Sequence, residues 1–227
     1  DDECEQAGDQ PERGRPFEFF TRCGYTVRME GRHPGYAAAT FAHMTRELAP
    51  EQMRQVVVTP YNPAWPAQFD AEAAQLRALL GDLVVAIHHV GSTSVPGLAA
   101  KPVIDIMPIV AEIEAVERYL TGMAELGYAP RGEYGLPGRR YFAKDTDGVR
   151  SHHVHMYGAD NPEVVRHLAF RDYLRAHPAV TQEYGALKEA LAQRHPDDIG
   201  AYMDGKDGFI KAVEAEAVRW FGSGAKG

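Results

Sequence analysis

The sequence predicts an α+β fold in which helices pack on a mixed sheet and a helical segment ends the chain. Short apolar runs separated by turn residues fill the middle of the sequence, whereas helical periodicity dominates from Asn161 onwards. Strands first and helices last is the order of an α+β domain rather than of an alternating α/β fold. At 227 residues the chain is long enough for one sizeable core with a small appendage.

Composition limits the class of protein. Hydrophobic residues make up 44% and charged residues 25% of the chain, which is ordinary for a globular protein in water. The formal net charge of −8 argues against general nucleic-acid binding but is compatible with a local basic pocket. No apolar run is long enough to span a membrane, and the sequence begins without a signal-like segment. The two cysteines have no metal-ligand spacing, so we expect a reduced, cytoplasmic setting without membrane partners.

The chain is predicted to divide into an N-terminal extension, residues 1–50, and a main domain, residues 51–227. Within the extension, the aromatic residues of Phe17–Tyr25 suggest a short helix. Two strands are expected to follow, at Thr26–Met29 and Thr40–Arg46.

The main domain is predicted to begin with a helix capped by Asn62 and Pro63. Its buried face has helical spacing: Trp65, Phe69, Ala73, Leu76 and Leu80. Two buried strands, an amphipathic helix and a hairpin around an Asp-Thr-Asp-Gly turn should follow. Their ranges are Leu83–Val90, Val103–Val110, Glu112–Leu126, Arg139–Lys144 and Ser151–Tyr157.

A Gly-Ser turn between the two buried strands is the most informative motif. Gly91 allows backbone N–H groups to approach a ligand, and Ser92 adds a hydroxyl group. A short helix beginning at Thr93 would present an N-terminus that favours phosphate. We therefore expect phosphate to bind at Gly91, Ser92, Thr93 and Ser94, with Lys101 supplying a point charge.

Asp105 is the candidate metal ligand. A carboxylate inside an apolar run is costly unless it is paired or binds a cation. Further along, His153 and His155 point to one face of a predicted strand and His152 to the other. If the two strands are neighbours, Asp105, His153 and His155 form a metal site or an acid–base group, and we take these three as the catalytic residues.

Other basic residues are weaker candidates for phosphate contacts. On the strand before the histidines, Arg139 and Arg140 face opposite ways, and we assign Arg140 to phosphate because a guanidinium can bind it in a fork. On the C-terminal helices, Arg171, Lys188 and Lys206 fit a solvated helix face better than a triphosphate contact.

Motifs in a fixed order along the chain match one known family. They are Pro60–Trp65, His89–Leu98, Lys101–Ile106, His152–His155 and Phe170–Arg175, followed by Tyr184, Leu187, Lys188, Tyr202, Lys206 and Phe209. Together they resemble the GrpB family, a group with the nucleotidyltransferase fold of the DNA polymerase β superfamily. In that superfamily the Gly-Ser pair contacts a nucleoside triphosphate, and two acids one residue apart bind a divalent metal. The first acid matches Asp105, whereas Met107 stands at the second position.

The resemblance implies a metal-dependent nucleotidyltransferase-type protein that binds a nucleoside triphosphate or another phosphorylated small molecule. The implied metal is Mg²⁺ or Mn²⁺ in preference to Zn²⁺. Met107 leaves two alternatives open, because a site with one acid binds Mg²⁺ less tightly. One is a non-catalytic nucleotide- or CoA-related binding module, since some family members are fused to dephospho-CoA kinase. The other is a metal-dependent hydrolase that uses Asp105 with His153 and His155.

The N-terminal extension resembles the end of a GNAT-superfamily acetyltransferase. The resemblance rests on Pro16–Tyr25, His33–Tyr36 and Phe41–Leu48. The CoA-pyrophosphate loop of that superfamily has no match here. We therefore expect a remnant or a piece of a fused domain without acetyltransferase activity.

Overall fold

The computed structural model describes residues 55–224 and the backbone of two short strands, residues 17–20 and 26–29. The chain divides into two compact units, residues 1–35 and residues 36–227. Among the described residues, no helix combines the length and the apolar character needed to cross a bilayer.

The first unit contains a two-stranded antiparallel sheet. Its strands are β1 (Phe17–Phe20) and β2 (Thr26–Met29), with Phe17 opposite Met29. The prediction of a helix over Phe17–Tyr25 is therefore wrong, whereas the strand at Thr26–Met29 is confirmed. Phe17 and Phe19 alternate with Glu18 at the period of a strand, and pairing with β2 satisfies the backbone. The predicted strand at Thr40–Arg46 lies outside the described residues.

The second unit is an α+β fold with a mixed five-stranded sheet, as the sequence predicts. The helices are α1 (Trp65–Leu80), α2 (Leu120–Glu125), α3 (Pro162–Ala176), α4 (Pro178–Arg194) and α5 (Ile199–Gly222). The strands are β3 (Val84–Val90), β4 (Ile104–Val110), β5 (Tyr128–Pro130), β6 (Arg139–Thr146) and β7 (Val149–Gly158). The strand order is β3-β4-β7-β6-β5, in which β4 and β7 are parallel and the other pairs are antiparallel.

Local sequence explains two features of the second unit. One is the hairpin of β6 and β7, and the other is a helix that is shorter than the sequence predicts. Asp147 and Gly148 have φ values of 52° and 76°, as a two-residue turn between β6 and β7 requires. The helix predicted over Glu112–Leu126 is instead a 3₁₀ segment, Ile113–Tyr119, that leads into the short α2. The β-branched residues of that segment and Gly122 within α2 lower its helix propensity.

The two faces of the sheet have different roles. One face packs under α1, with Ile104 and Ile106 of β4 buried against Trp65 and Leu80. On the other face α3 covers Met107 and its neighbours but leaves Asp105 at the wall of a cavity. A third cluster joins α3, α4 and α5 to the segment after the Gly-Ser turn, through Leu98, Ala169, Leu174, Tyr184 and Ile210. The sheet thus presents Asp105 to a space bounded by the C-terminal helices.

Candidate functional site

A cavity of about 730 Å³ lies between the face of the sheet that carries Asp105 and the C-terminal helices. The sequence-predicted residues on its wall are Gly91, Ser92, Thr93, Lys101, Asp105, His153 and His155. The two strands that supply the acid and the histidines are parallel neighbours, with Asp105 opposite His153. The condition on which the three-residue prediction depended is therefore met.

Asp105, His153 and His155 form a compact triad. Nδ1 of His153 lies 3.0 Å from Oδ1 of Asp105, and Nε2 of His155 lies 3.4 Å from the same oxygen. One potential ligand atom from each residue lies within 4.8 Å of the others. On its other side, Nε2 of His153 is 3.3 Å from the Arg150 guanidinium. Strand alternation brings the histidines together, and the pairing of β4 with β7 adds the carboxylate.

The electrostatics of Asp105 and His155 favour the protonation states that bind metals. Burial alone would raise the pKa of Asp105, but hydrogen bonds from His153 and His155 hold it well below its usual range. Burial also lowers the pKa of His155, more than the nearby Asp105 raises it. A carboxylate and a neutral imidazole are the forms that ligate a cation. One carboxylate with two imidazoles suits Mn²⁺, Fe²⁺ or Zn²⁺, so the donor set fits a divalent metal.

Next to the triad, the Nδ1 atom of His155 and the side chain of Met107 are both buried in the protein. Nδ1 of His155 is buried and has no hydrogen-bond partner within residues 55–224. Met107 is fully buried beneath α3, in the cluster that contains Tyr157 and Leu168. The side chain two positions after Asp105 is thus part of the core. His153 and His155, on the neighbouring strand β7, offer nitrogen atoms beside the Asp105 carboxylate instead.

The Gly-Ser turn supports the triad sterically. Gly91 has φ 66°, and a Cβ there would collide with the Asp105 carboxylate. Ser92–Ser94 forms a single 3₁₀ turn, shorter than the helix expected from Thr93. Thr93 lies on the cavity wall, and its Oγ1 is 3.0 Å from Nε2 of His89.

Two residues assigned to phosphate do not reach the cavity wall. Ser94 Oγ donates a 2.6 Å hydrogen bond to the Gly91 carbonyl and so stabilises the turn. Arg140 lies on the opposite face of the sheet, where Nε is 2.6 Å from Oε1 of Glu117. Its neighbour Arg139 faces the cavity instead, because side chains alternate along β6.

Lys188 and Lys206 are buried, contrary to the prediction from the sequence. Both line the cavity and are only 2% and 7% exposed, so the prediction of a solvated face is wrong. Each ammonium group lies 4.4 Å from an aromatic ring centroid, Lys188 over Tyr184 and Lys206 over Tyr202. The repeated Tyr-x-x-x-Lys spacing on α4 and α5 was the signal in the sequence. Arg171 lies off the cavity wall and donates to the His89 carbonyl.

Comparison with known proteins places the chain in a family. The family model described as GrpB protein matches residues 55–216. The crystal structure of the conserved protein GrpB from Enterococcus faecalis is similar, with a TM-score of 0.70 and 51% sequence identity. That match covers 72% of this chain and 98% of the other.

Two curated relatives are longer than the region they share with this chain. The UPF0157 protein YqkA of Bacillus subtilis is 50% identical over 167 residues, which are 74% of this chain and 48% of that protein. A more distant relative, the dephospho-CoA kinase of Mycolicibacterium paratuberculosis, is 30% identical over 208 residues, covering 79% and 50% respectively. The chain spans about half the length of each of these two relatives. The match to the family model and the similarity to a solved member agree that this chain belongs to the GrpB family.

Proposed function

We propose that this protein binds a nucleoside triphosphate in the cavity and transfers its nucleotidyl group to an acceptor with the help of a divalent metal. One observation carries the proposal: Asp105, His153 and His155 converge on a wall that also includes Ser92 and Lys101. Hydroxyl, ammonium and metal-binding groups around one space are what a polyphosphate ligand requires.

Asp105, His153 and His155 would hold the metal. Bound there, Mg²⁺ or Mn²⁺ supplies positive charge to the phosphate oxygens. Asp105 acts as a ligand rather than a general base, because its low pKa makes it a poor proton acceptor near neutral pH. Ser92 donates its hydroxyl hydrogen to a phosphate oxygen, and Lys101 adds a point charge at the same wall.

The proposed reaction is an in-line displacement at the α-phosphorus. A bond forms between the acceptor oxygen and phosphorus while the bond to the bridging oxygen of the β-phosphate breaks. Diphosphate leaves with the bonding electron pair, and the proton of the acceptor passes to solvent. The contribution of the protein is positioning and charge neutralisation.

A metal-dependent hydrolase is the second candidate, and the composition of the triad favours it. Two imidazoles and one carboxylate form a softer donor set than the two acids of the superfamily. With water as the acceptor, the same displacement becomes hydrolysis. The two candidates differ in the product and in the preferred metal, since Mn²⁺ or Zn²⁺ suits a histidine-rich site.

Calorimetric titration tests the proposal directly. We expect ATP, GTP, CTP or UTP to bind with Mg²⁺ or Mn²⁺ and the Asp105→Asn variant to lose at least tenfold in affinity. Arg140→Gln is the matched control, because Arg140 lies off the cavity wall, and its affinity should stay within twofold of wild type. Product analysis then separates transfer from hydrolysis.

Two other results of the titration would count against an enzymatic function. Nucleotide binding that ignores both the metal and Asp105→Asn, without turnover, would favour a non-catalytic module. The similarity to a dephospho-CoA kinase supports testing CoA in that case. No binding of any triphosphate would contradict the proposal.

A further inference from the structure

Three cationic side chains on the cavity wall, those of Arg139, Arg166 and Lys211, have partners within the protein. Arg166 forms ion pairs with Glu163 and Glu214. Lys211 pairs with Asp207 at 2.6 Å. The Arg139 guanidinium donates to the backbone carbonyls of a neighbouring loop, at 3.0 and 2.5 Å. The charges of Arg166 and Lys211 are therefore balanced by carboxylates, and the donors of Arg139 are used in hydrogen bonds to the backbone.

Lys188 and Lys206 differ from these residues. Within residues 55–224, neither forms an ion pair with a carboxylate, and Nζ of Lys188 is buried without a hydrogen-bond partner. The aromatic faces of Tyr184 and Tyr202 lie beside them in place of an acid. An aromatic face attracts a cation but accepts no full set of N–H bonds.

Two buried ammonium groups without a counter-anion are costly to fold. Burial lowers the pKa of each lysine to about 7, and the neighbouring charges add to this, Lys206 acting on Lys188 and Lys101 acting on Lys206. Partial loss of the protons near neutral pH reduces this cost. An anion of the ligand between them would supply the missing negative charge and an acceptor for Nζ of Lys188.

We infer that Lys188 and Lys206 form a subsite for a second phosphate group, so that the ligand is a diphosphate or triphosphate rather than a monophosphate. This inference rests on the proposed function for the position of the first phosphate, at the triad. Lys206 and Asp105 line the same cavity, which places the lysine subsite and the triad around one space. One polyphosphate chain would thereby contact the triad on the sheet at one end and the lysines of α4 and α5 at the other.

The subsite can be tested without metal and without turnover. Inorganic tripolyphosphate, diphosphate and orthophosphate are titrated into the full chain in the presence of EDTA at pH 6.5. We expect tripolyphosphate and diphosphate to bind at least tenfold more tightly than orthophosphate. The Lys188→Gln/Lys206→Gln double variant should lose at least tenfold in tripolyphosphate affinity. Lys211→Gln is the matched control, since Lys211 lines the cavity but is paired, and it should stay within twofold.

A measurement on the wild-type protein covers the case in which the double variant fails to fold. Acetic anhydride labels amines, and mass spectrometry reports the rate at each lysine. Tripolyphosphate should slow labelling of Lys188 and Lys206 at least fivefold and leave Lys211 unchanged. Equal protection of all three lysines, or equal affinity for ortho- and tripolyphosphate, would overturn the inference.

The subsite and the proposed function fail in different ways. Asp105→Asn should keep metal-free tripolyphosphate binding, because the lysines do not depend on the metal. Loss of metal-dependent nucleotide binding in Asp105→Asn with tripolyphosphate binding intact supports both ideas. Metal-dependent nucleotide binding that is unchanged in the double lysine variant would remove the subsite and leave the proposed function standing.

Discussion

The carboxylate of Asp105 lies directly against the backbone of Gly91. A Cβ at position 91 would collide with Oδ2 of Asp105, and the glycine has φ 66°, where other residues are strained. The Asp105 carboxylate therefore leaves no room for a side chain at position 91 of the Gly-Ser turn. This contact explains, without reference to any ligand, why a glycine follows β3 at the edge of the cavity.

Gly91→Ala is predicted to destabilise the protein and to disturb the triad. The positive φ alone costs a residue with a side chain about 1–2 kcal/mol, and displacement of Asp105 adds to this. We expect a total loss of about 2–4 kcal/mol in urea unfolding, together with loss of metal-dependent nucleotide binding. Gly97→Ala is the matched control, because Gly97 has φ 80° but open space around its Cβ position. If the two variants are equally destabilised, the contact with Asp105 has no energetic role.

Strand alternation and apolar runs identify the three residues of the triad, but they do not show that the two strands carrying them are neighbours. The sequence placed His153 and His155 on one face and Asp105 inside a buried strand. That these strands are parallel neighbours depends on the sheet order, which joins residues almost fifty positions apart. Local periodicity carries no information about which strands pair. From the sequence, the triad therefore depends on the condition that the strands of Asp105 and of the histidines are neighbours.

The two lysines show where single-helix reasoning fails. Taken alone, α4 and α5 each show a mixed polar surface, which favours solvated lysines. Burial of Lys188 and Lys206 arises because both helices pack against the segment after the Gly-Ser turn. The position of Arg140 off the cavity wall has a different source: alternation along β6 is readable from the sequence, but the face that meets the cavity is not.

Met107→Asp is predicted to damage the fold rather than restore a second metal-binding acid. Met107 is fully buried among Tyr157, Val164 and Leu168 beneath α3. A carboxylate there would lack partners, so we expect a loss of at least about 3 kcal/mol in urea unfolding and no gain in Mg²⁺ affinity. Met107→Leu keeps the volume and should cost less than about 1.5 kcal/mol. Tighter Mg²⁺ binding in Met107→Asp would show that the core position remains accessible to the site.

The stability of the unliganded protein is predicted to rise between about pH 7 and pH 9.5. Burial, with Lys206 beside Lys188 and Lys101 beside Lys206, lowers both lysine pKa values to about 7. The unfolded chain still binds these two protons well above that pH, because the ordinary lysine pKa is about 10.4. Since the unfolded state binds more protons in this window, the free energy of unfolding increases with pH. The slope is up to about 1.4 kcal/mol per pH unit for each lysine.

Urea unfolding across this pH range measures the effect. The groups that act on the two lysines are Lys101, Asp105 and Glu189, so a difference between variants is needed to isolate the lysines. Lys188→Met/Lys206→Met should flatten the pH dependence, whereas Lys211→Met should preserve it. Saturating tripolyphosphate should also flatten it, because the anion keeps both lysines protonated in the folded state. An identical slope in wild type and the double variant would contradict the depressed pKa values.

Arg139 and Arg140 are predicted to respond differently to the same substitution. Arg140 pairs with Glu117 near the surface, where such an ion pair contributes less than about 1 kcal/mol, so Arg140→Gln should be nearly neutral. Arg139 is 2% exposed and donates to the carbonyls of Glu133 and Tyr134. Its replacement by Gln leaves those carbonyls without their donors and should cost about 2–4 kcal/mol. Urea unfolding measures the stabilities, and proteolysis at residues 131–138 should accelerate only in Arg139→Gln, because that arginine anchors the segment to β6. Equal cleavage in both variants would show that the anchoring contacts are not what orders this part of the cavity wall.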